Sequence, residues 1–200
     1  MTHALTAYFP LAAAEARRAE PCREEVRWIA RACTGDEAAY HWLLGQYRHR
    51  VVRLAAHVLR GGGDAEDVAQ ETFLRAFKRL PEFRGTGPFS AWLFSITVRL
   101  CLDRRRRSPW TREGPETAAP IAAALPSHAS DTQILIETLL DQLSPALRAA
   151  LVLREIEGFE YEEIAAALQI PVGTVRSRLS AARAKFRTLW TAIDEENAHV

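Results

Sequence analysis

Apolar residues recur along this chain every three to four positions, and nowhere do they alternate with polar ones over the length of a strand. The pattern therefore predicts helices throughout. A short helix is expected over about Glu24–Cys33, ending at Gly35. Asp36 stands where an N-cap belongs for a long helix running to Arg60, with Tyr40, Leu43, Leu44, Tyr47, Val51, Leu54 and Val58 as its apolar stripe. Gly61, Gly62 and Gly63 break that helix, and Asp64 is placed to cap the next, which runs to Leu80 before Pro81. The loop Glu82–Pro88 leads to a helix from Ser90 to Arg107.

The pattern then lapses. Residues 109–130 are rich in Ser, Pro, Gly, Thr and Ala, with prolines at 109, 115, 120 and 126, a composition that buries little apolar surface and reads as a flexible linker. Beyond it, Ser130 with Gln133 fits a capping box, Ser144-Pro145 a capped helix start, and Gly158 a helix stop. The expected fold is all-α: a leader and short helix (1–35), a helical bundle (36–108), the linker (109–130), a second helical domain (131–190) and a tail (191–200).

No run of about 18 apolar residues exists to span a membrane. Glu15, Glu20, Glu24 and Glu25 interrupt the first thirty residues, which argues against a signal peptide. Cys22, Cys33 and Cys101 lack CxxC spacing, so reduced thiols in a cytoplasm are expected, with no disulfide framework and no zinc site. The histidines at 41, 49 and 57 each step about 80° around a helix and share no face, so no metal is expected there.

A net charge of +1 conceals a strong segregation. Arg75–Arg112 carries +8, Asp131–Ile170 carries −6, and Val172–Trp190 holds five basic residues with no acid. Two basic blocks flanking acidic surface point to two nucleic-acid contacts in one molecule.

The C-terminal block has helix-turn-helix proportions: Tyr161–Leu168, the turn Gln169-Ile170-Pro171, and Val172–Arg187. In the last of these, Val175, Leu179, Ala182 and Phe186 form an inward stripe. The opposite face is Gly173, Ser177, Ser180, Ala181 and Ala184, flanked by Arg176 and Arg183 on one side and Arg178 and Lys185 on the other. A small-residue ridge between cations suits a helix seated in the major groove; an ordinary amphipathic helix facing a protein partner is the plainer alternative.

In the N-terminal domain Asp64, Asp67 and Glu71 share one helix face with Gln70 beside them. Read functionally this is an acidic strip for a basic partner helix; read structurally it is acids favouring a helix N-terminus, which accounts for Asp64 and Asp67 but not Glu71. The basic block that follows is interleaved with Phe83, Phe89, Trp92, Phe94 and Trp110, a mixture suited to single-stranded DNA, where bases stack on rings. Trp92 reads first as packing, whereas for Phe89, at the end of a Gly/Pro loop, a packed ring and a ring offered at a pocket mouth are both open readings.

At these residues the sequence resembles the extracytoplasmic-function (ECF) group of sigma factors of bacterial RNA polymerase. DAEDVAQETFLRAF (64–77) resembles the family's polymerase-binding helix, FSAWLFSITVRLCLDRRRR (89–107) its promoter −10 segment, and 143–187 its −35-reading domain. The resemblance implies that Asp64, Asp67, Gln70 and Glu71 meet the clamp helices of the largest subunit of core RNA polymerase, with the flap as a further contact. It implies that Arg84, Phe89, Ser90, Trp92, Arg99, Arg104 and Arg105 hold the melted −10 strand, the Phe83–Trp92 loop capturing a flipped base. It implies that Thr174, Arg176, Ser177, Arg178, Ser180 and Arg183 read the −35 element as duplex. It also implies an anti-sigma partner, a cytoplasmic setting and no cofactor, metal or small-molecule substrate. Three positions depart from the family pattern: Arg99 for a usual Asn, Ala181 for a common Arg, and Gln169 for a frequent turn glycine.

Two other readings remain. A helix-turn-helix regulator would bind an operator without polymerase, and would need a ligand pocket in its N-terminal half. A nucleic-acid enzyme would need a catalytic constellation, and none assembles from these residues.

Overall fold

A computed structural model describes residues 23–59, 64–107 and 129–197, and the side chains among them except 107, 129–134 and 194–197. The leader up to residue 22, the triple glycine and most of the linker lie outside the described residues, as do the side chains of the capping pair Ser130 and Gln133.

Every described element is helical: α1 (Arg23–Cys33), α2 (Glu37–Val58), α3 (Ala65–Arg79), α4 (Phe89–Arg107), α5 (Ala129–Asp141), α6 (Pro145–Leu151), α7 (Tyr161–Leu168) and α8 (Val172–Asn197). Short 3₁₀ geometry at Leu80–Glu82 follows α3, and a π turn at Val152–Ile156 extends α6.

In α2 the predicted stripe is the buried one, with Leu43, Tyr47, Val51, Leu54 and Val58 in the core and Tyr40 and Leu44 at its margin. Asp36 caps it, its Oδ1 accepting from the Ala39 amide at 3.2 Å while Oδ2 takes the Arg31 guanidinium. These two interactions, the Arg31 hydrogen bond first, hold the Asp36 carboxyl below the usual carboxylate range.

The expected cap at Asp64 does not form. Its side chain makes no capping hydrogen bond and turns instead to Arg104 of α4, 3.2 Å away. The ion pair across elements wins the carboxylate from the local amide, and Asp64 sits in helical rather than extended geometry.

α8 runs ten residues past its expected end at Arg187, because Leu189, Trp190 and Ile193 continue the inward stripe and no Gly or Pro intervenes. Trp190 stacks on Phe186 with centroids 6.4 Å apart.

The helical bundle α1–α4 and the C-terminal helices α5–α8 each bury their stripes, and one continuous apolar cluster runs through both. α4 lies against α7, and α2 reaches α6 and the π turn. Phe94 of α4 stacks on Phe159, which precedes α7, at 6.2 Å and 10°. Arg50 of α2 covers the Phe94 ring at 4.8 Å and extends to the fully buried Glu157 carboxylate at 3.5 Å. A buried carboxylate needs such a counter-charge.

Candidate nucleic-acid and polymerase interfaces

The recognition surface of α8 assembles as its period requires. Val175, Leu179, Ala182 and Phe186 are buried, and Gly173, Arg176, Ser177, Ser180, Ala181 and Ala184 are exposed. Thr174 and Arg178 are half-buried, Thr174 using its carbonyl to accept from the Ser177 hydroxyl at 2.9 Å. Arg183, expected among the DNA contacts, is committed inward: its Nε and Nη2 both donate to Glu155 Oε1, at 3.0 and 2.7 Å. Burial works against the Arg183 charge, but the hydrogen bond and charge of Glu155, with help from Tyr161, outweigh it and raise its proton affinity.

Periodicity does not single out Glu155, because it lies on the π turn, where an amide reaches five residues back (Glu157 N–H to Val152 O, 2.9 Å) and helical periodicity shifts. Next to Arg183 a shallow cavity of about 420 Å³ opens between Tyr161, Arg176, Ser180, Ala184 and Arg187. Three guanidinium groups and a phenol around an open, polar-rimmed space suit an anionic backbone.

On α3 the strip is solvent-facing, with Asp64, Asp67 and Gln70 exposed and Glu71 half-buried. Its charges are already paired within the chain. Arg104 lies 3.2 Å from Asp64 and 3.3 Å from Asp67, and Arg75 lies 2.6 Å from Glu71. Alongside runs a groove of about 400 Å³ between α2 and α3, floored by Leu44, Phe73, Leu74 and Phe77 and edged by Arg48, Glu66 and Asp67. Leu74 is 52% exposed, a large apolar side chain left at the rim of a charged strip. The expectation of a purely acidic strip missed this apolar component, although Leu74 and Phe77 occupy the same helix one turn on.

The −10 set divides. Arg84 is exposed on the loop and Ser90, Trp92 and Arg105 are half-buried. Phe89 is not at a pocket mouth: it is the first residue of α4, 3% exposed, and packs edge-on to Tyr47 (5.3 Å) and Phe83 (5.6 Å) with Trp92 tilted beside it (5.6 Å). Pro88 directs the chain into the bundle here, and the helix starts one residue before the expected Ser90. The ring anchors the loop, and the half-exposed aromatics are Phe83 and Trp92, 5.3 Å apart. Tyr47 beneath them hydrogen-bonds Glu25, and burial, then that carboxylate, holds its phenol protonated well above the usual range.

Arg99 is likewise engaged within the chain. Its Nε donates to Ala167 O at 3.0 Å and its Nη2 to Ala166 O at 2.9 Å, both in the last turn of α7. Burial, then the nearby Arg79, lowers its pKa, yet a guanidinium remains charged at neutral pH.

Residues 43–111 match Sigma-70 region 2, and residues 133–186 match Sigma-70, region 4. The ECF RNA polymerase sigma factor SigE of Mycolicibacterium smegmatis is 39% identical over 189 residues, covering 90% of this chain and 73% of that protein. The RNA polymerase sigma-H factor of Pseudomonas aeruginosa is 34% identical over 177 residues, covering 80% of this chain and 90% of that one. Among solved structures, CnrH in complex with the cytosolic domain of CnrY aligns with a TM-score of 0.63 at 27% identity, covering 82% of this chain and 96% of that chain. The sigma factor RpoE from Bartonella quintana, in complex with the anti-sigma factor NepR, aligns at 0.61 and 25% identity, covering 76% and 96%.

Proposed function

The chain belongs to the ECF RNA polymerase sigma factors, and from that premise we propose how its surfaces divide the work of promoter-specific initiation. The exposed ridge of α8, small residues between arginines, is the observation that carries the reading: it lets a helix backbone approach base edges while Arg176 reaches guanine and Arg178 and Arg187 reach phosphates. Arg183 contributes charge at the cavity edge, fixed by Glu155.

Core polymerase docks on α3. A basic partner helix replaces Arg104 and Arg75 as counter-charge to Asp64, Asp67 and Glu71, and buries an apolar side chain in the groove beside Leu74. Docking then frees Arg104 for a phosphate of the melted −10 strand, next to Arg105, and the half-exposed rings of Phe83 and Trp92 offer a stacking surface above the Arg84 loop. Phe89 supports these rings from below. An anti-sigma protein is a further expected partner, on the analogy of the RpoE–NepR assembly.

Run-off transcription with core polymerase tests the assignment. Wild-type chain should direct initiation from one promoter start, and Asp67→Lys with Glu71→Lys should abolish polymerase binding without loss of fold, since exposed charges contribute little to stability. Normal co-purification of that double variant with polymerase would remove the docking strip from the proposal. Tight duplex binding by the wild type with no polymerase dependence would favour an operator-binding regulator.

A further inference from the structure

The last turn of α7 lacks its own donors. In a continuing helix the Ala166 carbonyl would accept from the Ile170 amide, and the Ala167 carbonyl from residue 171. Residue 171 is proline and has no N–H. The Ile170 amide turns back to Ala165 O at 3.1 Å, and so does that of Gln169, the residue that ends α7 in left-handed geometry at φ 54°. Both of these carbonyls, Ala166 O and Ala167 O, are filled by the Arg99 guanidinium. A cation at a helix C-terminus also meets the negative end of the helix dipole.

We propose that Arg99 is an intramolecular latch, which caps the turn of the helix-turn-helix from α4 and so holds the −35-reading domain closed on the −10 helix in the free chain. The latch does not act alone. Arg50 with Glu157 and the Phe94–Phe159 stack join the same two domains, one ion pair and one apolar contact beside two charge-assisted hydrogen bonds. The flank of α4 that carries Arg99 faces α7, and the Nε and one Nη2 donor of its guanidinium are occupied, so a promoter strand has to displace the chain's own carbonyls to use those two. The ridge of α8 is exposed in the same arrangement. Closure therefore withholds the Arg99 flank of α4 and leaves the −35 surface open, and separation of the domains is the step that makes this flank available to the strand. This inference rests on the assignment of α4 to the −10 strand.

The latch is read in the free chain, without polymerase or DNA, so its failure is separate from failure of the transcription assay. Small-angle scattering should give a larger radius of gyration for Arg99→Ala than for wild type. Amides of the last turn of α7 should exchange about tenfold faster in that variant, the effect of losing charge-assisted bonds that hold a local element. Arg50→Ala paired with Glu157→Gln removes the second tie without leaving a buried charge and without touching Arg99. That pair should bind a single-stranded −10 oligonucleotide severalfold more tightly than wild type, whereas Arg99→Ala should not, because it loses the ligand arginine together with the latch. Wild-type dimensions and wild-type α7 exchange in Arg99→Ala would overturn the proposal. An unchanged oligonucleotide affinity in the Arg50 and Glu157 pair, with the domains shown apart by scattering, would overturn the claim that closure withholds the Arg99 flank of α4.

Discussion

Along α8 the residues expected to meet DNA reach solvent from a single helix, and only Arg183 among them is drawn into an ion pair. Along α4 and its preceding loop the expected contacts scatter: Phe89 enters the core, Arg99 crosses to α7, and Arg104 crosses to Asp64 and Asp67. Both sets rest on the same kind of evidence, cations interspersed with small or aromatic residues. The difference lies in geometry. A helix with one buried stripe must expose the other side, whatever it packs on. An aromatic or arginine on a loop or on a helix bordered by several neighbours goes where the neighbours leave room, and α4 touches α2, α3, α6 and α7.

The widest gap between the two surfaces should appear on truncating Phe89. As a core ring among Tyr47, Phe83 and Trp92, its loss in Phe89→Ala should cost about 3–5 kcal/mol of stability. Denaturant unfolding measures it. A stable variant that fails only in promoter opening would return the ring to a DNA-facing role and erase the contrast.

Next in size is the α8 face. Arg176→Ala should lose about 1–3 kcal/mol on a matched −35 duplex and little on a scrambled one, as expected for a base contact. Arg183→Ala should weaken both duplexes together and flatten the salt dependence, whereas Glu155→Gln, which removes the acid that neutralises Arg183, should shift both the other way. Equal losses on both duplexes for Arg176→Ala would make it a phosphate clamp.

A smaller effect is expected at the turn. Gln169 is the one described non-glycine residue with positive φ, and Gln169→Gly should stabilise the chain by about 1 kcal/mol, the left-handed penalty less the extra freedom of glycine when unfolded. Thermal unfolding decides it; a lower midpoint would mean that the Gln side chain holds the turn.

The smallest is an acid sensitivity that the α8 surface does not share. Burial is the main reason the His57 pKa lies below its ordinary value; Glu137 opposes this, and Arg53 and Arg148 add to it. As pH falls, the unfolded chain takes up this proton near pH ~6.5 while the folded chain still resists it, so stability is complete above that pH and declines below it. His57→Gln should therefore lose less stability than wild type between about pH 7 and about pH 5.5. Parallel profiles for the two would show that other groups set the acid limb.

Much of this was legible beforehand because it is local. The buried stripe of α2, the cap at Asp36, the stop at Gly158 with φ 65° and the polar ridge of α8 each follow from residues within a few turns of one another. What the sequence by itself determined is thus the helices, their inward faces and the identity of the two binding domains. Only the tertiary structure decided which charges and rings remain available. Arg99 and Ala167 are 68 residues apart, Arg50 and Glu157 107 apart, and Arg104 and Asp67 37 apart. Helical periodicity places a side chain on a face but carries no information on what faces it. A carbonyl without a donor at a proline, or a buried carboxylate, selects its partner from whatever the packing of helices brings within about 3 Å.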